Sequence, residues 1–225
     1  MLKEQLRTML DMQAGMNTKV NPRWLNAGYP FLLAAVIEGA EAIEHHGWKW
    51  WKAQQCDINQ FRIELVDIWH FALSAEIIRN RGDLDQTAEA MFTEFSVHST
   101  SVYFDGISYN IKEIDAIRGL ELLIGLATVR RFSVALFESI LIACEMTWDE
   151  LYRQYIGKNV LNFFRQDYGY KAGTYQKLWA GREDNEHLVE ILATEDAALP
   201  DFRERVYSGL EARYRAVAPE HGVAF

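Results

Sequence analysis

The sequence is poor in the residues that break helices. Four prolines and 14 glycines are spread over 225 residues, which favours long helices. Two cysteines, Cys56 and Cys144, supply neither a disulfide framework nor a zinc-ligand spacing, and a reducing compartment is the default. Positive charge is also scarce. Lys and Arg number 23 against 32 Asp and Glu, a formal net charge of −9. Polymeric nucleic acid is held through many Lys and Arg contacts to phosphate, so that class of partner is not expected. A single nucleotide remains compatible, because a metal and a few local cations can hold one polyphosphate.

No charge-free apolar run is long enough for a bilayer. The most apolar stretch, residues 120–146, is interrupted by Glu121, Arg130, Arg131, Glu138 and Glu145. A membrane span does not tolerate that many charges. The stretch reads instead as a buried helix pair or an interface helix. Charges at Lys3, Glu4, Arg7 and Asp11 leave no apolar signal-peptide region. The expectation is a cytoplasmic protein with no membrane partner.

Hydrophobic residues make up 49% of the chain, enough to bury a real core. Their spacing is helical over residues 2–16, 29–46, 60–80, 87–95 and 202–214. Gly47 is a stop signal for the second of these. A polar turn is expected from Asn17 to Arg23. Residues 96–110 read as a connector of weak strand character. Residues 111–146 read as one or two helices, with a break near Gly125. Thr147 and Glu150 form a capping-box pattern that opens a helix to about Asp167. A single all-α domain over residues 1–225 follows, a helical bundle with room for a cap or interface region at about 85–146.

Glu38 and Glu41 are three apart on one of these helices, and Glu64 and Asp67 are three apart on the next. Residues at i and i+3 share a face one turn apart. Two packed helices would bring four carboxylates together, which a dry seam tolerates only with a compensating cation. Hard oxygen ligands suit Mg2+, which also binds substrate phosphates. Ile63, Leu65, Val66, Ile68, Trp69 and Phe71 surround the second pair, so carboxylates there need a reason. His45 and His70 fall near the acidic residues, His45 as a structural group or a ligand and His70 as a structural group or pocket lining.

Between the acidic helices lie Trp48, Lys49, Trp50, Trp51 and Lys52. Tryptophans there either fill the core or stack on a flat base, a contact of about 1–3 kcal/mol. Further on, Lys158, Asn162 and Arg165 share one helical stripe, and Lys171 follows in a glycine-flanked turn. The stripe is either a solvated basic face or a grip for polyphosphate.

Taken together, these residues resemble the dimeric dUTPase family of the all-α NTP pyrophosphatase superfamily. Its signature stands here as Glu38-Gly39-Ala40-Glu41 and Glu64-Leu65-Val66-Asp67. The tryptophan loop, Ile68-Trp69-His70-Phe71, and the segments around 158–175 and 181–185 resemble its further motifs, and Met12-Gln13 with Asn17 resemble its first. The resemblance implies hydrolysis of dUTP to dUMP and pyrophosphate by a homodimer, with Mg2+ on Glu38, Glu41, Glu64 and Asp67. In a metal-assisted attack of water on phosphorus, Glu38 or Glu41 is the expected general base. It implies that Gln13, Asn17, Trp50, His70 and Phe71 contact deoxyuridine, and that Lys158, Asn162, Arg165 and Lys171 hold the phosphates. Some relatives also accept dCTP.

Two other readings compete. Asp67-x-x-His70 has the form of a di-iron bundle ligand pair, but Glu41-x-x-x-His45 has the wrong spacing to be the second pair. A helical interaction module, with the acids binding a partner or a regulatory metal, is the non-enzymatic alternative.

Overall fold

The computed structural model describes residues 1–197, 199 and 201–216. Among them are nine α-helices and two short antiparallel hairpins. In order these are α1 (Lys3–Val20), α2 (Phe31–His46), α3 (Ile58–Arg79), α4 (Leu84–Val97), β1 (Ser101–Phe104), β2 (Ile107–Asn110), α5 (Ala116–Thr128), α6 (Val134–Ala143), α7 (Trp148–Asp167), β3 (Leu178–Trp179), β4 (Arg182–Glu183), α8 (Asp184–Thr194) and α9 (Phe202–Arg215). The fold is all-α. No helix among the described residues is long and apolar enough to cross a membrane.

The described residues divide into two compact units, residues 1–14 with 23–152 and residues 15–22 with those from 153 onward. In the first, α2 packs along α3 and α5, and α6 packs on α4 and α5. The core is apolar and aromatic: Phe61, Leu65, Ile68, Trp69, Leu73, Leu120, Leu136, Phe137 and Ile140 are fully buried. Trp69 stacks on Phe137 at 5.1 Å. In the second unit, α8 packs on α9 around Phe164, Trp179, Val206 and Leu210, all fully buried.

Local signals explain most helix ends. The Asp57, Asp83, Asp115 and Ser133 side chains each accept from a backbone N–H in the first turn of the helix that follows, satisfying a donor the helix leaves open. Gly47 ends α2 with φ 82°, a left-handed cap. The capping box at Thr147 is formed: the Glu150 carboxylate accepts from the Thr147 amide at 2.7 Å, and the Glu150 amide donates to Thr147 Oγ1 at 3.2 Å.

Two expectations are corrected and one, the strand character of residues 96–110, is made specific. The first helix does not end at Met16 but runs to Val20, carrying Asn17, Thr18 and Lys19 through its last turn. The Lys19 ammonium donates to Asp167 at 2.6 Å, so these polar side chains serve a helix face rather than a turn. Residues 96–110 hold a hairpin turning at Asp105-Gly106, both with positive φ. The helical stretch 111–146 breaks at residues 129–133, where Arg130 has φ 62° and Ser133 caps α6. Gly125 lies inside α5, where a Cβ would come within 3.0 Å of the Phe104 ring. That glycine serves close packing, not a break.

The apolar stretch 120–146 is largely consumed by its own unit's core. Leu120, Leu123, Leu126, Leu136, Ile140 and Leu141 are buried, and Val129 and Ile142 are the large apolar side chains it exposes.

Candidate metal and nucleotide site

Helices α2 and α3 carry the acidic pairs. Gly39, between Glu38 and Glu41, lies against Ile124 of α5, whose Cγ1 is 2.9 Å from where a Cβ would stand. This close approach presses α2 into the core on the turn that bears the acids. α3 is buried around most of its circumference, with Glu64 and His70 buried among Leu65, Val66, Ile68 and Trp69.

One carboxylate oxygen from each of Glu38, Glu41 and Glu64 lies within 4.8 Å of the other two. Glu64 is buried, Glu38 half-buried and Glu41 exposed, so the group runs from core to surface. Asp67, half-buried on α3, is not among these three, but its charge is the strongest acting on Glu38. Burial and then the charges of Asp67, Glu64 and Glu41, together with a hydrogen bond to Glu64, push Glu38 up to about 8. Negative charge concentrated this way calls for a cation. Carboxylate oxygens are the donors that hard divalent ions prefer. His45 Nε2 stands 3.5 Å from Glu64 Oε1.

Beside this group, His70 Nδ1 donates to Gln13 Oε1 at 2.7 Å, both residues being buried. The bond joins α1 to α3 and fixes the Gln13 amide. Phe71 is half-buried on α3. The tryptophan loop does not fill the core. Trp50 is 85% and Trp51 58% exposed, and Trp48, Trp50 and Trp51 meet edge to face at 4.4–6.4 Å. Lys49 and Trp48 both donate to Glu44, at 2.6 and 2.7 Å, anchoring the loop to the last turn of α2.

The remaining predicted residues belong to the second unit. Asn17 is buried on α1. Lys158, buried on α7, donates to Asn185 Oδ1 at 3.1 Å. The Arg165 guanidinium makes two 2.8 Å bonds to Asp184 and a 3.2 Å bond to Asn162 Oδ1. Lys171 donates to the Val20 carbonyl at 2.8 Å. The basic stripe is therefore no freely solvated face; each of these cations has a partner within the unit.

A family model described as dUTPase matches residues 5–170. The chain belongs to the dUTPase family. The match spans both acidic pairs, the tryptophan loop, His70 and the α7 stripe, and ends before Asp184 and Asn185. No curated protein matches. Sequence reasoning placed residues 181–185 in a motif but gave Asp184 no role. No local spacing ties Asp184 to Arg165, nineteen positions away, so the sequence carried no signal for the pair.

Proposed function

We propose that the protein hydrolyses dUTP to dUMP and pyrophosphate, with Mg2+ held by Glu38, Glu41, Glu64 and Asp67. The observation that carries the reading is the acidic group on α2 and α3, three carboxylates within 4.8 Å in a chain of the dUTPase family. Bound Mg2+ supplies positive charge that offsets these carboxylates and the charge developing on the phosphate chain. Glu38 or Glu41 takes the proton of the attacking water as general base. α3 holds Glu64 within the core, which restricts where its carboxylate can lie.

The other roles are carried over from the family resemblance. Gln13, Asn17, Trp50, His70 and Phe71 contact the deoxyuridine. The exposed Trp50 ring offers a stacking face, and the His70 bond sets which end of the Gln13 amide meets a ligand. Lys158, Asn162, Arg165 and Lys171 hold the phosphates. Lys158 and Lys171 each have three N–H donors. The assembly in this reading is a homodimer, which light scattering in solution would show.

Pyrophosphate release from dUTP, dCTP, dTTP and ATP, with Mg2+ and after chelation, tests the proposal. Release from dUTP above the others, lost on chelation, is expected. Release from none of the four would overturn the reading. A preference for dCTP would keep the reaction and overturn the base assignment.

A further inference from the structure

We infer that Asp184 is a positioning residue for phosphate recognition, holding the Arg165 guanidinium in one fixed plane. The inference rests on the reading above that Arg165 meets the phosphates of the substrate.

Asp184 is fully buried at the start of α8. Its two oxygens accept from Arg165 Nε and Nη2 at 2.8 Å each. This is the two-pronged geometry that a planar guanidinium and a carboxylate share. The Tyr175 hydroxyl donates to the same carboxylate at 2.8 Å, and the Tyr175 ring stacks on Tyr214 at 5.5 Å. The Asp184 backbone N–H donates to the Lys177 carbonyl at 3.0 Å. The acid is thus held from several directions before it holds Arg165. Burial alone would raise its proton affinity, but the bonds from Arg165 and Tyr175 outweigh that and lower it, so the acid stays ionised.

Arginine has five N–H donors. Two go to Asp184 and one to Asn162. The others lie in the same rigid plane, and the side chain keeps 11% exposure. A phosphate oxygen binding there meets donors whose orientation is already set, so less freedom is lost on binding. The neighbouring acid also tempers the positive charge, so recognition relies on geometry more than on net attraction.

The test is steady-state pyrophosphate release from dUTP by the full-length protein carrying Asp184→Asn, Arg165→Ala or both, with inhibition by pyrophosphate and by deoxyuridine measured alongside. Asp184→Asn removes one acceptor and turns an amide N–H toward the guanidinium. It is expected to raise KM and the pyrophosphate inhibition constant about tenfold or more, while inhibition by deoxyuridine stays as it was. The double variant is expected to match Arg165→Ala alone, because the two act as one unit. Should Asp184→Asn not fold, Tyr175→Phe removes one bond to the acid and is expected to raise the same two constants about threefold. Unchanged pyrophosphate inhibition in the folded variant, or equal losses for pyrophosphate and deoxyuridine, would overturn the inference while leaving an active wild type. If the wild type releases no pyrophosphate, the underlying reading fails and this inference falls with it.

Discussion

Glu38 and Asp184 are carboxylates on helices in largely apolar surroundings, and their proton affinities move in opposite directions. Burial pushes both upward. At Glu38 the next influences are other carboxylates, Asp67, Glu64 and Glu41, and they push the same way. At Asp184 the next influences are Arg165 and Tyr175, which reverse the effect of burial. The difference separates two uses of a buried acid. Asp184 carries its counter-charge within the chain and uses it to hold the Arg165 guanidinium in place. The group around Glu38 concentrates negative charge and is suited to a cation from outside.

Substitutions should break this contrast in order of size. Glu41→Gln is expected to lower turnover by about 10²–10⁴-fold with the fold intact, which kinetics and circular dichroism would show. Near-normal turnover would remove Glu41 from the chemistry. Arg165→Ala leaves Asp184 buried without its cation, and is expected to destabilise the fold by about 3–5 kcal/mol in denaturant unfolding. Trp50→Ala should weaken dUTP binding by about 1–3 kcal/mol without moving the melting temperature, because the ring is exposed. Glu38→Gln has the smallest expected effect and the opposite sign to Arg165→Ala: the metal-free protein becomes more stable. Glu38 is partly exposed and solvent screens its neighbours, so a gain of about 1 kcal/mol, or about 2–4 °C, is expected.

The pH dependence sharpens the same comparison. The folded Glu38 carboxyl binds its proton more tightly than the unfolded one, at about 8 against 4.5. Its contribution to the metal-free fold is therefore full below 4.5 and is lost as pH rises through about 8. Asp184 is lowered, so its contribution is present above its unfolded value of 3.8 and is lost as pH falls through its folded value. Melting curves without metal should show the Glu38 loss between about pH 4.5 and 8, and Glu38→Gln should remove it.

Much of the acidic site was legible in the sequence. Glu64 and Asp67 sit in an apolar run, Glu38 follows one, and i, i+3 spacing fixes which side chains share a helix face. The Thr147–Glu150 capping box was legible for the same reason, since it depends on residues three apart. The partner of Arg165 was not. Nineteen positions separate it from Asp184, and local spacing does not encode such a pairing. The β1–β2 hairpin had a usable sign in Asp105-Gly106, a pair that tolerates positive φ at both turn positions. The end of α1 was misplaced because Asn17, Asn21 and Pro22 are turn formers, and they outweighed the helix preference of Lys19. Trp50 was ambiguous because an aromatic loop residue fits a core as well as a ligand surface.

The central claim is tested most directly by calorimetric titration of Mg2+ into the metal-free protein near neutral pH, for the wild type and for Glu64→Gln. Saturable binding by the wild type and its loss in a folded Glu64→Gln variant is the predicted result. Equal binding by both proteins, or none by the wild type, would contradict the account.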